Sequence, residues 1–181
     1  LGVDLHLDGV DLGALQQRVF GRTDGISRAG LAWRESNRNV TVLREAAAFV
    51  DEHTLQVGHR TITADQFVIA AGSRPRALAA AGLDDPDLAG MIHTSETILR
   101  VRQLPDRLVV VGGGVEAIEF GHIFASLGSR VTLVNRSDRL LRRIDGEIAA
   151  RATQLAAEHF AVRLNQRLSS VEPAERGGLL L

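Results

Sequence analysis

Gly112, Gly114 and Ala117 form a G-x-G-x-x-A turn between an apolar run, Leu108 to Val111, and a segment of helical periodicity that stops at Gly128. That spacing suits a pyrophosphate. The first glycine allows a tight turn, the second lets backbone come close to the phosphates, and a small third residue lets helix and strand pack closely. The unpaired N–H groups and positive dipole end of the helix then face the anion. A second apolar run, Val131 to Val134, leads to Asn135, Arg136 and Ser137. A site for NAD places an acid there, to accept hydrogen bonds from the adenosine ribose 2′-hydroxyl. Arg136 instead offers a planar fork for a 2′-phosphate, and Arg142 and Arg143 follow from the next loop. The bland alternative is a solvated loop of Arg136, Arg139, Arg142 and Arg143 in a chain rich in arginine. Because the acid is missing, and with Asn135 and Ser137 beside Arg136, the pattern favours NADPH over NADH.

Other chemistries find little support. The chain has no cysteine, so it holds neither a disulfide nor a CxxC metal site. Its 6 histidines are scattered, and Glu119-x-x-His122, the one metal-like spacing, reads as two residues on a helix face. A formal net charge of −1 gives no reason to expect nucleic acid or a membrane surface as partner. No apolar run reaches the roughly 20 residues of a spanning helix, and no signal peptide is visible. The expected location is therefore cytoplasmic. With Leu1 at one end and an apolar run at the other, the chain reads as a piece of a longer protein.

The elements that must position these residues follow from periodicity. Residues 12–36 are helix-like, with Leu12, Leu15, Val19 and Phe20 at helical spacing. Short β-type runs follow at Val40 to Leu43, Ala47 to Val50, Thr54 to Val57 and Arg60 to Thr63, with Gly58-His59 as a hairpin turn. Phe67 to Ala71 reads as a buried strand, and Arg76 to Gly90 as a connector. Met91 to Thr94 is a candidate strand, with Ser95 capping a helix over Glu96 to Val101. After the glycine turn, Asp145 caps a helix through about His159. Ala161 to Leu164 forms a third parallel strand, and Leu168 to Val171 pairs with Leu179 to Leu181 in an antiparallel excursion. The fold class is α/β: a Rossmann-like βαβαβ unit preceded by a β-rich part.

Two motifs, in this order, carry a family resemblance: T-A-D-Q-F-V-I-A-A-G-S-R-P (Thr63 to Pro75) and GGGVEAIEF with LGSRVTLVNRSDRLLRRID after it. They resemble the flavoprotein disulfide reductases. Within these, the opening L-G-V-D, the R-V-F-G-R-x-D segment (Arg18 to Asp24) and the E-F-x-H-x-F-x-x-L-G helix (Glu119 to Gly128) are similar to the mycothione reductases. The resemblance implies the two-dinucleotide-binding-domain flavoprotein fold, truncated at both ends. Residues 1–73 would be part of an FAD-binding domain and 74–181 an NADPH-binding domain, made of a connector (74–105), a βαβαβ core (106–165) and the start of a β excursion (166–181). It also implies a homodimeric enzyme passing a hydride from NADPH to FAD, then electrons to a cysteine pair and to mycothione, the disulfide of mycothiol.

Carried over by motif, Gly112, Gly114 and Ala117 match the NADPH pyrophosphate turn, and Arg136 and Arg142 the pair gripping the 2′-phosphate. Glu119 matches a carboxylate near the nicotinamide that pairs with a lysine. Ala70, Ala71 and Gly72 match backbone passing close to FAD, and the segment around Ala46-Ala47 the strand meeting its adenine. Val115 departs from the aromatic that covers the flavin in most of the family. Glu116 stands where an apolar residue is usual, either facing the pyrophosphate or pointing outward. The redox cysteines and the acid-base His-Glu pair would lie outside the chain, so it is expected to have no catalytic residue, to be inactive alone and, with sheet edges uncovered, to be marginally stable. Another flavoreductase of the same fold, acting on a different disulfide or on mercury, and a non-catalytic nucleotide-binding module are the alternatives.

Overall fold

The computed structural model describes Gly2, residues 8–175 and residues 177–181. The L-G-V-D opening and His6 therefore fall largely outside the described residues. Two compact units emerge: residues 17–74, and residues 75–181 together with the described residues up to Gln16.

The second of these is built on three parallel strands, β4 (Arg107–Val111), β5 (Arg130–Val134) and β6 (Ala161–Arg163), in the order β4-β5-β6. Parallel strands need crossover connections. Here they are helices α2 (Val115–Ser126) and α3 (Gly146–His159). β5 is the central strand: Arg107 lies opposite Arg130 and Val111 opposite Val134, while Thr132 lies opposite Ala161. Its alternation puts Val131 and Leu133 into the core, where Leu133 is fully buried among Phe124, Leu140, Ala156 and Phe160. α2 comes close to Phe160 through Gly121, whose absent Cβ would lie 3.0 Å from the ring. Leu127 caps the C-terminus of α2, and Gly128 (φ +107) turns the chain into β5. Asp145 caps α3, accepting from the N–H groups of Glu147 and Ile148 at 3.0 and 3.3 Å.

The antiparallel excursion pairs β7 (Glu172–Pro173) with β8 (Leu179–Leu180), so the first strand starts after the expected Leu168 to Val171. Residues 169–171 are instead held by the connector: Ala81 N–H donates to Ser169 O at 3.1 Å and Val171 N–H to Ala81 O at 2.8 Å. Met91 to Thr94 is not a strand. Met91 N–H bonds back to Leu88 O, and Thr97 Oγ1 accepts from Thr94 N–H, which makes a turn and a single 3-10 turn at Ile98–Arg100 in place of the helix expected after Ser95.

In residues 17–74, the strands β1 (Ala47–Asp51), β2 (Thr54–Val57) and β3 (Arg60–Thr63) form an antiparallel meander with a turn at Gly58-His59. Val40 to Leu43 and Phe67 to Ala71 are not strands. Strand backbone exists only where a neighbour completes its hydrogen bonds, and no described strand pairs with either run. The expected burial of the second run also fails: Val68 is 93% exposed and Ile69 75%. Phe67 still packs edge-on against Phe49, with ring centroids 5.2 Å apart. α1 (Leu12–Ser36) covers the expected helical span and opens on Asp11, whose side chain accepts from Ala14 N–H at 2.9 Å. None of its residues is buried, and Leu15, Val19, Ile26 and Trp33 are exposed along its length.

Candidate functional site

The site forms where β4 and β5 end side by side. Gly112 continues the ladder, its N–H donating to Val134 O at 2.9 Å, and then turns with φ +147, a value side chains rarely adopt. Ala117, in the first turn of α2, has its methyl 3.6 Å from where a Gly112 Cβ would stand. The small third residue thus lets α2 sit close on the turn. Gly114 is the N-cap of α2, with φ −85 and ψ −178 and no side-chain cap bond. A Cβ built on it meets nothing within 4 Å. A helix start without a side-chain cap, beside open space at a glycine, fits a phosphate group held by backbone N–H.

Gly113 differs. A Cβ there would fall 2.5–2.7 Å from the side-chain atoms of Asn135. Asn135 follows β5 and is only 7% exposed. Its amide donates to Arg139 O at 2.9 Å and to Ser137 O at 3.4 Å, so it faces the loop that carries the arginines. Its backbone is held on both sides, by Arg163 O at 2.8 Å and by Gln166 N–H at 3.0 Å. The loop is pinned further along. Leu140 is fully buried and donates to Thr153 Oγ1 at 3.1 Å. Leu141, with φ +50, donates to Gly113 O at 2.7 Å. A left-handed leucine is costly, by roughly 1 kcal/mol or more, and it is held here by bonds to the glycine turn and from Ile144.

On this fixed backbone Arg136, Arg139, Arg142 and Arg143 are exposed, and among the described residues none of their side chains makes a hydrogen bond or ion pair. Arg142 directly follows the residue bonded to the glycine turn. The bonds of the Leu141 backbone and the Asn135 amide thus tie the arginine-bearing loop to the glycine turn, and guanidinium groups are suited to a phosphate. Val115, the first residue of α2, is 55% exposed. Glu116 and Glu119 are exposed on the same helix. His122, one turn beyond Glu119, meets His159 of α3 edge-on at 5.8 Å between ring centroids. Among the described residues no cluster of three or more metal-ligating side chains occurs.

The residues matched to flavin binding lie in the other unit. Ala47 opens β1 opposite Val57, and Ala70, Ala71 and Gly72 are exposed outside any helix or strand, Gly72 with φ +69. No geometry on the described residues gathers these four into a cradle.

Residues 15–179 match the family model described as pyridine nucleotide-disulphide oxidoreductase. The chain belongs to this family. Among curated relatives, the mycothione reductase of Mycobacterium tuberculosis is 38% identical over 97% of this chain, and the dihydrolipoyl dehydrogenase of Haemophilus influenzae is 32% identical over 96%. The chain spans 38% and 35% of their respective lengths. Its fold is that of the flavoprotein disulfide reductases: the copper(II) complex of the HOCl-induced reductase RclA from Escherichia coli superposes with a TM-score of 0.80 at 23% identity, covering 92% of this chain and 38% of that one. The two-dinucleotide-binding-domain architecture expected from the motifs is thereby the observed fold class.

Sequence reasoning missed three residues that organise the site: Gly113, Leu141 and Thr153. The run of three glycines was a visible signal for Gly113. Nothing local marks a leucine for the left-handed region or selects Thr153 among the polar residues of its helix.

Proposed function

We propose that this chain is the nucleotide-binding middle of an FAD-dependent disulfide reductase that oxidises NADPH. Residues 74–181 form the NADPH-binding domain and residues 1–73 part of the FAD-binding domain. The observation that carries this reading is the N-terminus of α2, which opens at Gly114 next to a glycine turn that bonds the loop carrying four exposed arginines, none with a side-chain partner among the described residues. The N–H groups of the first turn of α2 hold the pyrophosphate. Arg136 and Arg142 grip the 2′-phosphate, and Asn135 borders it. Val115 and Glu119 line the path from the pyrophosphate toward the nicotinamide, while Ala47, Ala70, Ala71 and Gly72 give backbone contacts to the flavin nucleotide. When bound, the pyridine nucleotide supplies a hydride and the flavin takes it up. Glu116 is exposed in the first turn, which favours a solvated side chain over one held against the pyrophosphate.

The substrate favoured is mycothione, because the mycothione reductase match combines 38% identity with nearly the whole of this chain. The working enzyme is a cytoplasmic homodimer whose cysteine pair and acid-base residues come from outside this chain. Calorimetry of NADPH and NADH binding to the purified chain, with folding checked by circular dichroism, tests the central claim. Clearly tighter binding of NADPH supports the site. Equal affinity for the two returns Arg136 and Arg142 to a solvated basic loop.

A further inference from the structure

We infer that Asn135 is a positioning residue, and that it sets nucleotide preference by holding the arginine loop against the glycine turn rather than by touching the nucleotide. The inference rests on the NADPH reading above. In an NAD site the side chain at this place is a carboxylate turned toward the ribose. Here it is a buried amide turned into the following loop. Its two donors go to Ser137 O and Arg139 O, inside the segment between Arg136 and Arg142. Its other face fills the space left by the missing Cβ of Gly113. One side chain therefore contacts both halves of the site, the turn for the pyrophosphate and the loop for the 2′-phosphate.

Two further bonds restrain the same loop from independent directions: Leu140 N–H to Thr153 Oγ1, and Leu141 N–H to Gly113 O. Thr153 is in turn fixed by donating to Ala149 O at 2.7 Å within α3. The arginine side chains have no restraint of their own among the described residues, so their placement depends on this backbone. A guanidinium shifted by about an ångström loses the alignment that two parallel N–H···O bonds need. Removing the loop's anchors should then weaken binding of the 2′-phosphate while sparing contacts made by the turn.

The experiment compares the wild type, Asn135→Leu and Thr153→Val in the purified protein, measuring the dissociation constants of NADPH and NADH by calorimetry. Thr153→Val removes an anchor that lies on α3 rather than on the turn, and it keeps the test alive should Asn135→Leu not fold. The expected result is a roughly tenfold fall in the NADPH preference for either variant, from the loss of one or two hydrogen bonds, with NADH affinity unchanged in Thr153→Val, whose anchor touches the loop alone. Equal weakening of both nucleotides in Thr153→Val would show a merely structural role and overturn the inference. So would an unchanged preference in folded variants while Arg136→Ala still abolishes it. A wild type that binds both nucleotides equally would instead sink the NADPH reading itself, and the positioning role with it.

Discussion

Gly113 and Gly114 are adjacent and chemically identical, yet their substitution by alanine should have opposite consequences. At Gly113 the new methyl would lie 2.5–2.7 Å from the Asn135 side chain, which is buried and bonded to two loop carbonyls and so cannot swing away freely. Overpacking of this kind costs about 1–3 kcal/mol, and Gly113→Ala should lower the urea midpoint accordingly. At Gly114 the methyl meets nothing within 4 Å, and φ −85 suits any residue. Only the poorer N-cap character of alanine counts against it, so the loss of stability should stay within about 1 kcal/mol. The cost appears on binding. On the proposed reading, the methyl would occupy the side from which a pyrophosphate reaches the first-turn N–H groups. Losing one charge-assisted backbone bond, worth about 2 kcal/mol, corresponds to roughly thirtyfold weaker nucleotide binding. Urea unfolding and calorimetry on both variants separate the two effects. Wild-type affinity in Gly114→Ala, or destabilisation equal to that of Gly113→Ala, would refute the assignment of Gly114 to ligand approach.

The double variant Arg136→Ala with Arg142→Ala should lose tenfold or more of any preference for NADPH, since each exposed guanidinium contributes on the order of 1 kcal/mol to a phosphate; an unchanged NADPH/NADH ratio defeats the clamp. Asp145→Ala should destabilise the chain by about 1 kcal/mol by freeing the Glu147 and Ile148 N–H groups, as read from urea unfolding. In Gly121→Ala a gain in helix propensity of about 1 kcal/mol opposes a contact of 3.0 Å with the buried Phe160 ring. The contact should win, so a rise in melting temperature would contradict the packing described. In the flavin-loaded enzyme, Val115→Tyr should slow oxygen consumption by the reduced flavin, because an aromatic ring shields where valine cannot; an unchanged rate removes that role from position 115.

The βαβαβ half was legible because each of its signals is local. A strand, a glycine turn and an amphipathic helix are written in contiguous residues, and Asp145 announces its helix by a cap that bonds only two and three positions on. The family motifs at Thr63 to Pro75 and Gly112 to Asp145 likewise read directly from the chain. Phe67 to Ala71 failed for the opposite reason. Its apolar run promised a buried strand, but strand formation requires a partner, and no described strand provides one. Met91 to Thr94 failed because turn bonds to Leu88 and Thr97 outcompeted a β-type pattern of side chains.

By itself, then, the sequence determined that a glycine turn precedes α2, that no acid closes β5, and that arginines follow it. Tertiary structure alone decided what those residues do to one another. Only packing of β4 beside β5 brings Asn135 against Gly113, turns its amide into the loop and makes one glycine a space for a side chain while its neighbour faces open space. Such contacts join positions far apart in the chain, and their strength depends on distances of a few tenths of an ångström that no local pattern encodes.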